Sequence, residues 1–298
     1  MGAVGIACAV WGIGIERYLF TVREATAAAL PPGSAPLRVL HISDAHMAPW
    51  QRRKQQWLAS LADLEPDLIV NTGDNLGHRD GLAGLRRAFE PFAGVPGVFV
   101  HGSNDVHEPT MKNPLLYFSG PSESHADPDL LDTAALDAFL SDELGWADLN
   151  NTAASVQVGG RRLDFFGVSD AHREWDDLDA LPGAIARLGE RDAATPLLGV
   201  THAPYQRVLN RFTDLGAQAI FGGHTHGGQV CLPFYGALVA NCDIPLKQAK
   251  GLSAWTHGGR SIPLNVSAGI GHSIYAPVRF ACRPEATLLT LTARDTPA

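Results

Sequence analysis

Cysteine is scarce in this sequence. Its four copies, Cys8, Cys231, Cys242 and Cys282, form no CxxC pair, which excludes the usual structural zinc cluster. Cys231 and Cys242 either bridge in an oxidising compartment or stand as buried free thiols. A basic excess is missing too: 23 Lys and Arg face 31 Asp and Glu, for a formal charge of −8, and no long basic run occurs. That argues against a general nucleic-acid binder, which would present a basic face. It does not exclude a small anionic substrate, because metal ions can supply local positive charge. With 45% apolar residues in 298, the chain can bury a sizeable core.

Nor is there an apolar run of the about 20 residues that a membrane-spanning helix needs. Residues 2–15 are uncharged, and Tyr18, Leu19 and Phe20 lengthen the run only across Glu16 and Arg17. No Lys or Arg precedes it and no Ala-x-Ala site is evident, so it is a poor cleavable signal peptide. We expect a membrane anchor or its truncated remnant, giving membrane association on a side that the flanking charges do not fix. The alternative is a docked N-terminal helix on a soluble cytoplasmic protein. Residues 26–36, with Pro31-Pro32-Gly33, read as a linker. The expected division is therefore an anchor-like helix and linker over 1–36 and one catalytic domain over 37–298.

What is present is a series of short apolar runs, each ending in polar residues. Leu37–Ile42 reads as a buried strand that stops at Ser43-Asp44-Ala45-His46. Trp57, Leu58, Leu61 and Leu64 then recur at helical spacing. The next strand, residues 67–71, stops at Gly73-Asp74. A second amphipathic helix carries Leu82, Leu85, Phe89 and Phe92, and a third strand at 97–101 stops at Gly102-Ser103-Asn104-Asp105. Strand–helix alternation implies right-handed crossovers and a largely parallel sheet. Ligands bind such sheets at the carboxyl ends of the strands, where these clusters fall.

Residues 107–130 hold four prolines and no clear period, and we expect a cap near the substrate pocket. A helix is expected around Leu136, Phe139, Leu140 and Leu144. Gly159-Gly160 turns a hairpin whose second strand stops at Asp170 and His172, which either approach the site or lie on the surface. A strand at 196–200 leads to His202, followed by helical spacing at Tyr205, Val208, Leu209 and Phe212. Another strand leads to Gly222-Gly223-His224-Thr225-His226-Gly227-Gly228. Residues 264–267 and 286–291 are expected as strands of a second sheet. Imidazole and carboxylate together suit first-row divalent cations.

Asp44-Ala45-His46, Gly73-Asp74, Gly102-Ser103-Asn104-Asp105, His202 and Gly223-His224-Thr225-His226 together resemble the calcineurin-like metallophosphoesterase superfamily. Its pattern is D-x-H, G-D, G-N-H-(D/E), a single His and G-H-x-H. The resemblance spans about 37–291. The tail Pro277-Val278-Arg279-Phe280 and Arg283-Pro284-Glu285 is similar to a bacterial subgroup with an N-terminal membrane segment. The resemblance implies an α/β fold of four layers, α/β/β/α. It implies two divalent ions (Mn, Fe or Zn): Asp44, His46 and His226 on one, Asn104, His202 and His224 on the other, and Asp74 bridging.

The implied reaction is hydrolysis of a phosphoester, with a diester or pyrophosphate favoured, by a metal-bridging hydroxide. The expected partner is a small phosphorylated or lipid-linked phosphate substrate. One position departs from the pattern. Either Asn104 is the motif's Asn and Asp105 replaces its His, or Ser103 and Asn104 replace Asn and His. In both registers the family's acid is absent, leaving Asp105, His172, His107 or a water as candidates. The alternatives to a phosphoesterase are a non-catalytic scaffold with this fold and a metal-dependent amide hydrolase.

Overall fold

The computed structural model describes residues 2–111, 129–192 and 194–295. The chain opens with α1 (Gly2–Val10) and β1 (Thr21–Leu30). Next come β2 (Leu37–Ile42), α2 (Arg52–Ser60), β3 (Leu68–Asn71), α3 (Leu82–Phe89), β4 (Gly97–Phe99), α4 (Thr133–Asp137) and β5 (Ala147–Asp148). The second half holds β6 (Thr152–Val158), β7 (Arg161–Val168), α5 (Leu181–Ala186), β8 (Leu197–Thr201), α6 (Gln206–Asp214) and β9 (Ala219–Gly222). It closes with the small pair β10 (Cys231–Leu232) and β11 (Gly236–Ala237), then β12 (Gly251–His257), β13 (Arg260–Val266) and β14 (Glu285–Ala293).

Two six-stranded sheets result, in the orders β1-β14-β2-β3-β4-β5 and β12-β13-β9-β8-β7-β6. Successive residues of a strand point to opposite faces, and here both faces are covered. Val39, Val70 and Val98 of the first sheet meet Phe165, Leu198 and Phe221 of the second in an inner layer. Their neighbours Leu40, Ile69 and Phe99 face outward onto Leu58, Leu85 and Phe89 of α2 and α3. On the far side, Phe166, Ile220 and Leu264 pack on Leu181 of α5 and Leu209 and Phe212 of α6. The expected four-layer α/β/β/α architecture is the observed one. Burial on both faces also explains why these strands read as unbroken apolar runs.

Two local expectations are corrected, and a third lies largely outside the described residues. The late strands do not share a sheet: β13 joins the second sheet, whereas β14 inserts in the first between β1 and β2, antiparallel to β2. The expected linker begins inside β1, which pairs in parallel with β14 along its length. Its alanines supplied no strand signal, and only the partner strand gives their backbone a ladder. The expected cap falls largely on residues 112–128, outside the described residues.

The membrane-anchor expectation finds no support in the structure. Among the described residues no helix is long and apolar enough to cross a membrane. α1 leaves Val4, Ile6 and Val10 exposed, while the turns that follow dock on the strap 278–282. Glu16 is the reason. Its buried carboxylate accepts hydrogen bonds from Ala281 N (3.0 Å), Cys282 N (2.8 Å) and Trp11 Nε1 (2.7 Å). Gly12 O accepts from Arg279 N, and a Cβ on Gly12 would come within 2.9 Å of the Arg279 carbonyl. Removing one acceptor strands three donors, so Glu16→Ala should lower the unfolding free energy by about 1–3 kcal/mol. Urea denaturation checks this; an unchanged midpoint would mean that the docked segment adds no stability.

Candidate metal centre

The polar clusters sit on the loops that leave β2, β3, β4, β8 and β9 at their carboxyl ends. These loops hold one another: Asp44 N donates to Gly73 O (2.8 Å), His46 N to Asp74 O (2.9 Å) and Gly223 N to His202 O (2.8 Å). The arrangement forces non-glycine residues into left-handed backbone, with φ of 51° at Asp44, 41° at His46, 54° at Asp74, 66° at His224 and 49° at His226. Such residues cost of order 1–3 kcal/mol each and persist only where the surroundings over-determine them. Glycine clears the remaining space. A Cβ on Gly102 would lie 2.2 Å from Asp74 Oδ1, and one on Gly223 would lie 2.0 Å from Ser43 Oγ.

Asp44, His46 and His226 point donor atoms at one spot, and Asp44, Asp74 and His202 point theirs at another. His46 Nε2 lies 3.2 Å from His226 Nε2, and His226 Nε2 lies 3.5 Å from Asp44 Oδ1. Asp74 Oδ2 stands 3.5 Å from both His46 Nε2 and His202 Nε2, so it spans the two groups. His224 Nδ1 completes the second at 3.3 Å from His202 Nε2. Neighbouring ligands of one first-row cation are about this far apart, given bonds of about 2.0–2.2 Å. Asp44 Oδ1 is buried and accepts no hydrogen bond. A buried lone oxygen beside imidazoles fits a cation. The donors present therefore suit divalent metal.

The outer hydrogen bonds set which nitrogen is offered. His202 Nδ1 donates to Thr72 O (2.7 Å), leaving Nε2 for the centre, and His224 Nε2 faces Asn241 O (3.1 Å), leaving Nδ1. Ser43 Oγ and His224 N both donate to Asp44 Oδ2. Asn104 holds Asp74 with its backbone N–H and its side-chain amide, each at 2.8 Å. All seven expected ligands are thus gathered, with Asn104 in contact through Asp74.

The two expected catalytic residues part company. Asp105 is fully buried, and its carboxylate accepts from Asn75 N (2.7 Å), Leu76 N (3.2 Å) and Gly102 N (3.1 Å). It braces the β3 and β4 loops and does not line the cleft, which corrects the expectation that it donates a proton there. His172 does line the cleft; its ring centroid is 4.5 Å from that of His224 and its Nδ1 is 3.0 Å from Tyr205 Oη. His107 packs beside Trp175, ring centroids 5.5 Å apart, and does not line the cleft.

Several partners escaped the sequence reading. The buried Lys54 Nζ donates to Ala45 O (2.6 Å) and His46 O (3.2 Å), and burial lowers its pKa to about 7. Arg279, also buried, donates to the carbonyls of His226 (3.0 Å) and Ala268 (2.7 Å), and its Nη2 lies 3.2 Å from His226 Nδ1. Only its place in a subgroup-like tail hinted at this. Arg173, Gln229 and Tyr275 line the cleft beside the donors.

Charge is finely opposed in the centre. Burial raises Asp44, while at Asp74 burial is outweighed by His202, His46 and the Asn104 hydrogen bonds, so Asp74 stays ionised. Burial also lowers His46 to about 4 and His224 to about 3. At His202 burial is overcome by Asp74, Asp170 and Asp44, and its pKa rises to about 9. The metal-free protein therefore keeps a proton on His202 at neutral pH, and a cation must displace it. Metal affinity should rise with pH between about 6.5 and 8.5, by roughly tenfold per unit for one linked proton. Calorimetric titration with Mn²⁺ at three pH values tests this; a flat affinity would mean that His202 is already neutral.

Comparison with known proteins follows the same lines. The family profile described as Calcineurin-like phosphoesterase matches residues 37–228. The "Uncharacterized metallophosphoesterase YkuE" of Bacillus subtilis (strain 168) is 23% identical over 304 residues, covering 97% of this chain and 93% of that one. "Phosphodiesterase YaeI" of Escherichia coli (strain K12) is 26% identical over 268 residues, covering 87% and 83%. The crystal structure of TT1561 of Thermus thermophilus aligns over 79% of this chain and 91% of its own, at 14% identity and a TM-score of 0.42. The chain belongs to the calcineurin-like phosphoesterase family and is a metal-dependent phosphoesterase.

Proposed function

We propose that the protein hydrolyses a small phosphodiester or pyrophosphate with two divalent cations, Mn, Fe or Zn. The observation that carries this reading is Asp74 Oδ2, equidistant at 3.5 Å from one imidazole of each donor group. Asp44, His46 and His226 would hold one ion; His202, His224 and Asn104 the other. Asp74 would serve both. When bound, such ions acidify a water nucleophile and neutralise the phosphoryl oxygens.

The protein's own residues do the rest. Thr72 O and Asn241 O fix the imidazole orientations, and Arg279 and Lys54 hold the carbonyls behind the ligands. A cleft of about 190 Å³, lined by His172, Arg173, Ser103, Thr110, Gln229 and Tyr275 among others, receives the ester. His172 is our candidate to protonate the leaving oxygen, its ring set by Tyr205. Asp105 serves as a brace. The named phosphodiesterase among the relatives supports a diester, and the Arg173 guanidinium in the cleft suits an anionic ligand.

Mn-loaded protein should turn over bis-p-nitrophenyl phosphate. Chelator should abolish the activity, and Asp74→Ala should lower kcat by roughly a thousandfold or more. Metal-replete, folded protein inert towards diester, monoester and pyrophosphate would overturn the reading in favour of a binding scaffold. The acid is tested by a series of aryl leaving groups. His172→Ala should lose about a hundredfold with phenol and little with p-nitrophenol, because a good leaving group needs no proton. Asp105→Asn should lower thermal stability and leave the shape of the pH–rate profile unchanged. A slope with leaving-group pKa that His172→Ala does not steepen would remove His172 from the acid role.

A further inference from the structure

We propose that Arg173 forms an anion subsite beside the metal centre, so that the preferred ester carries a second anionic group next to the one cleaved. Such a substrate is a pyrophosphate or a phosphate ester with a neighbouring phosphate or carboxylate. The inference rests on the hydrolytic reading above and names the substrate class for it.

Arg173 lies in the turn after β7, and that turn is tightly fixed. Asp170 Oδ1 accepts from His172 N (2.8 Å), and Asp170 Oδ2 accepts from Ser103 N (3.0 Å), tying the turn to the β4 loop. Arg173 N and Trp175 N both donate to Asp170 O, at 3.2 and 3.1 Å. Arg207, itself paired with Asp176, holds Ala171 O at 3.1 Å from behind. The backbone that carries Arg173 is therefore set before any ligand arrives.

Among the described residues the guanidinium itself has no partner. Arg173 is half-buried, its Nε is shut off from solvent without a hydrogen bond, and its side chain makes no ion pair with them. Several other arginines with exposed side chains are paired, Arg23 with Glu285, Arg79 with Glu108, Arg86 with Glu143 and Arg207 with Asp176. Among the described residues Asp74 is the sole carboxylate in the cleft lining, and its bonds go to Asn104 and the imidazoles. Partial burial of an unpaired cation is costly, and a planar fork of donors matches phosphate or carboxylate. Arg173 pairs with neither Asp44 nor Asp74, so it is a second point of charge recognition in the same cleft.

The test reads binding without turnover. Wild type, Arg173→Ala and Arg173→Lys, each saturated with Mn²⁺, are titrated calorimetrically with methylenediphosphonate and with methylphosphonate. Wild type should bind the diphosphonate more tightly. Arg173→Ala should weaken the diphosphonate by about tenfold or more and the monophosphonate by about threefold at most, and Arg173→Lys should recover part of the loss. Equal weakening of both ligands would put Arg173 on the cleaved phosphoryl and overturn the proposal. No weakening of the diphosphonate would overturn it too, as would a wild type that binds both alike. The differential can hold in a protein that hydrolyses no ester, and turnover can hold without it, so the two readings fail separately.

Discussion

Two buried carboxylates and four imidazoles held at the ends of separate strands are the constraint on which this structure depends. Brought together without a counter-ion they oppose folding: burial drives Asp44 towards its neutral form and strips protons from His46, His224 and His226. Of the four, His202 gains proton affinity, because three carboxylates surround it. A divalent cation resolves the conflict by replacing a proton with a larger charge. The rest of the fold is arranged to hold the donors in place until that happens.

Rigidity comes from two layers of support. The inner apolar layer locks both sheets, so the strand ends cannot drift apart. Around the centre, the β2, β3 and β4 loops are hydrogen-bonded to each other, and Asp105 ties three backbone N–H groups among them. Left-handed backbone at Asp44, His46, Asp74, His224 and His226 shows how strongly these contacts prevail over local preference. Behind His226, Arg279 joins four loop carbonyls and is itself held through Gly12 and Glu16 at the N-terminal turns. A mechanical connection therefore runs from the N-terminal turns to His226 in the candidate metal centre.

Much of the fold was legible because its signals are local. Short apolar runs ending in Gly, Asp or His located β2, β3, β8 and β9 with the ligands after them. Periodicity found α2, α3 and α6. The signals failed where a segment borrows its structure from a distant partner. β1 is alanine-rich and becomes a strand only beside β14; β14 changed sheet because its antiparallel pairing with β2 is invisible along the chain. Asp105 misled for a related reason: in one register of the motif it takes the place of the His, but in the folded turn its carboxylate faces the backbone N–H groups of Asn75, Leu76 and Gly102.

The sequence by itself determined the ligand types and their order, since each donor follows a strand whose direction its own apolar run dictates. It also determined that no CxxC pair and no basic face are available. Tertiary structure alone decided that Asp74 stands midway between two donor groups, that Asp105 braces and that Arg173 is left unpaired among the described residues. Those outcomes depend on which hydrogen-bond partners remain once backbone segments far apart in sequence have packed, and no local pattern records that.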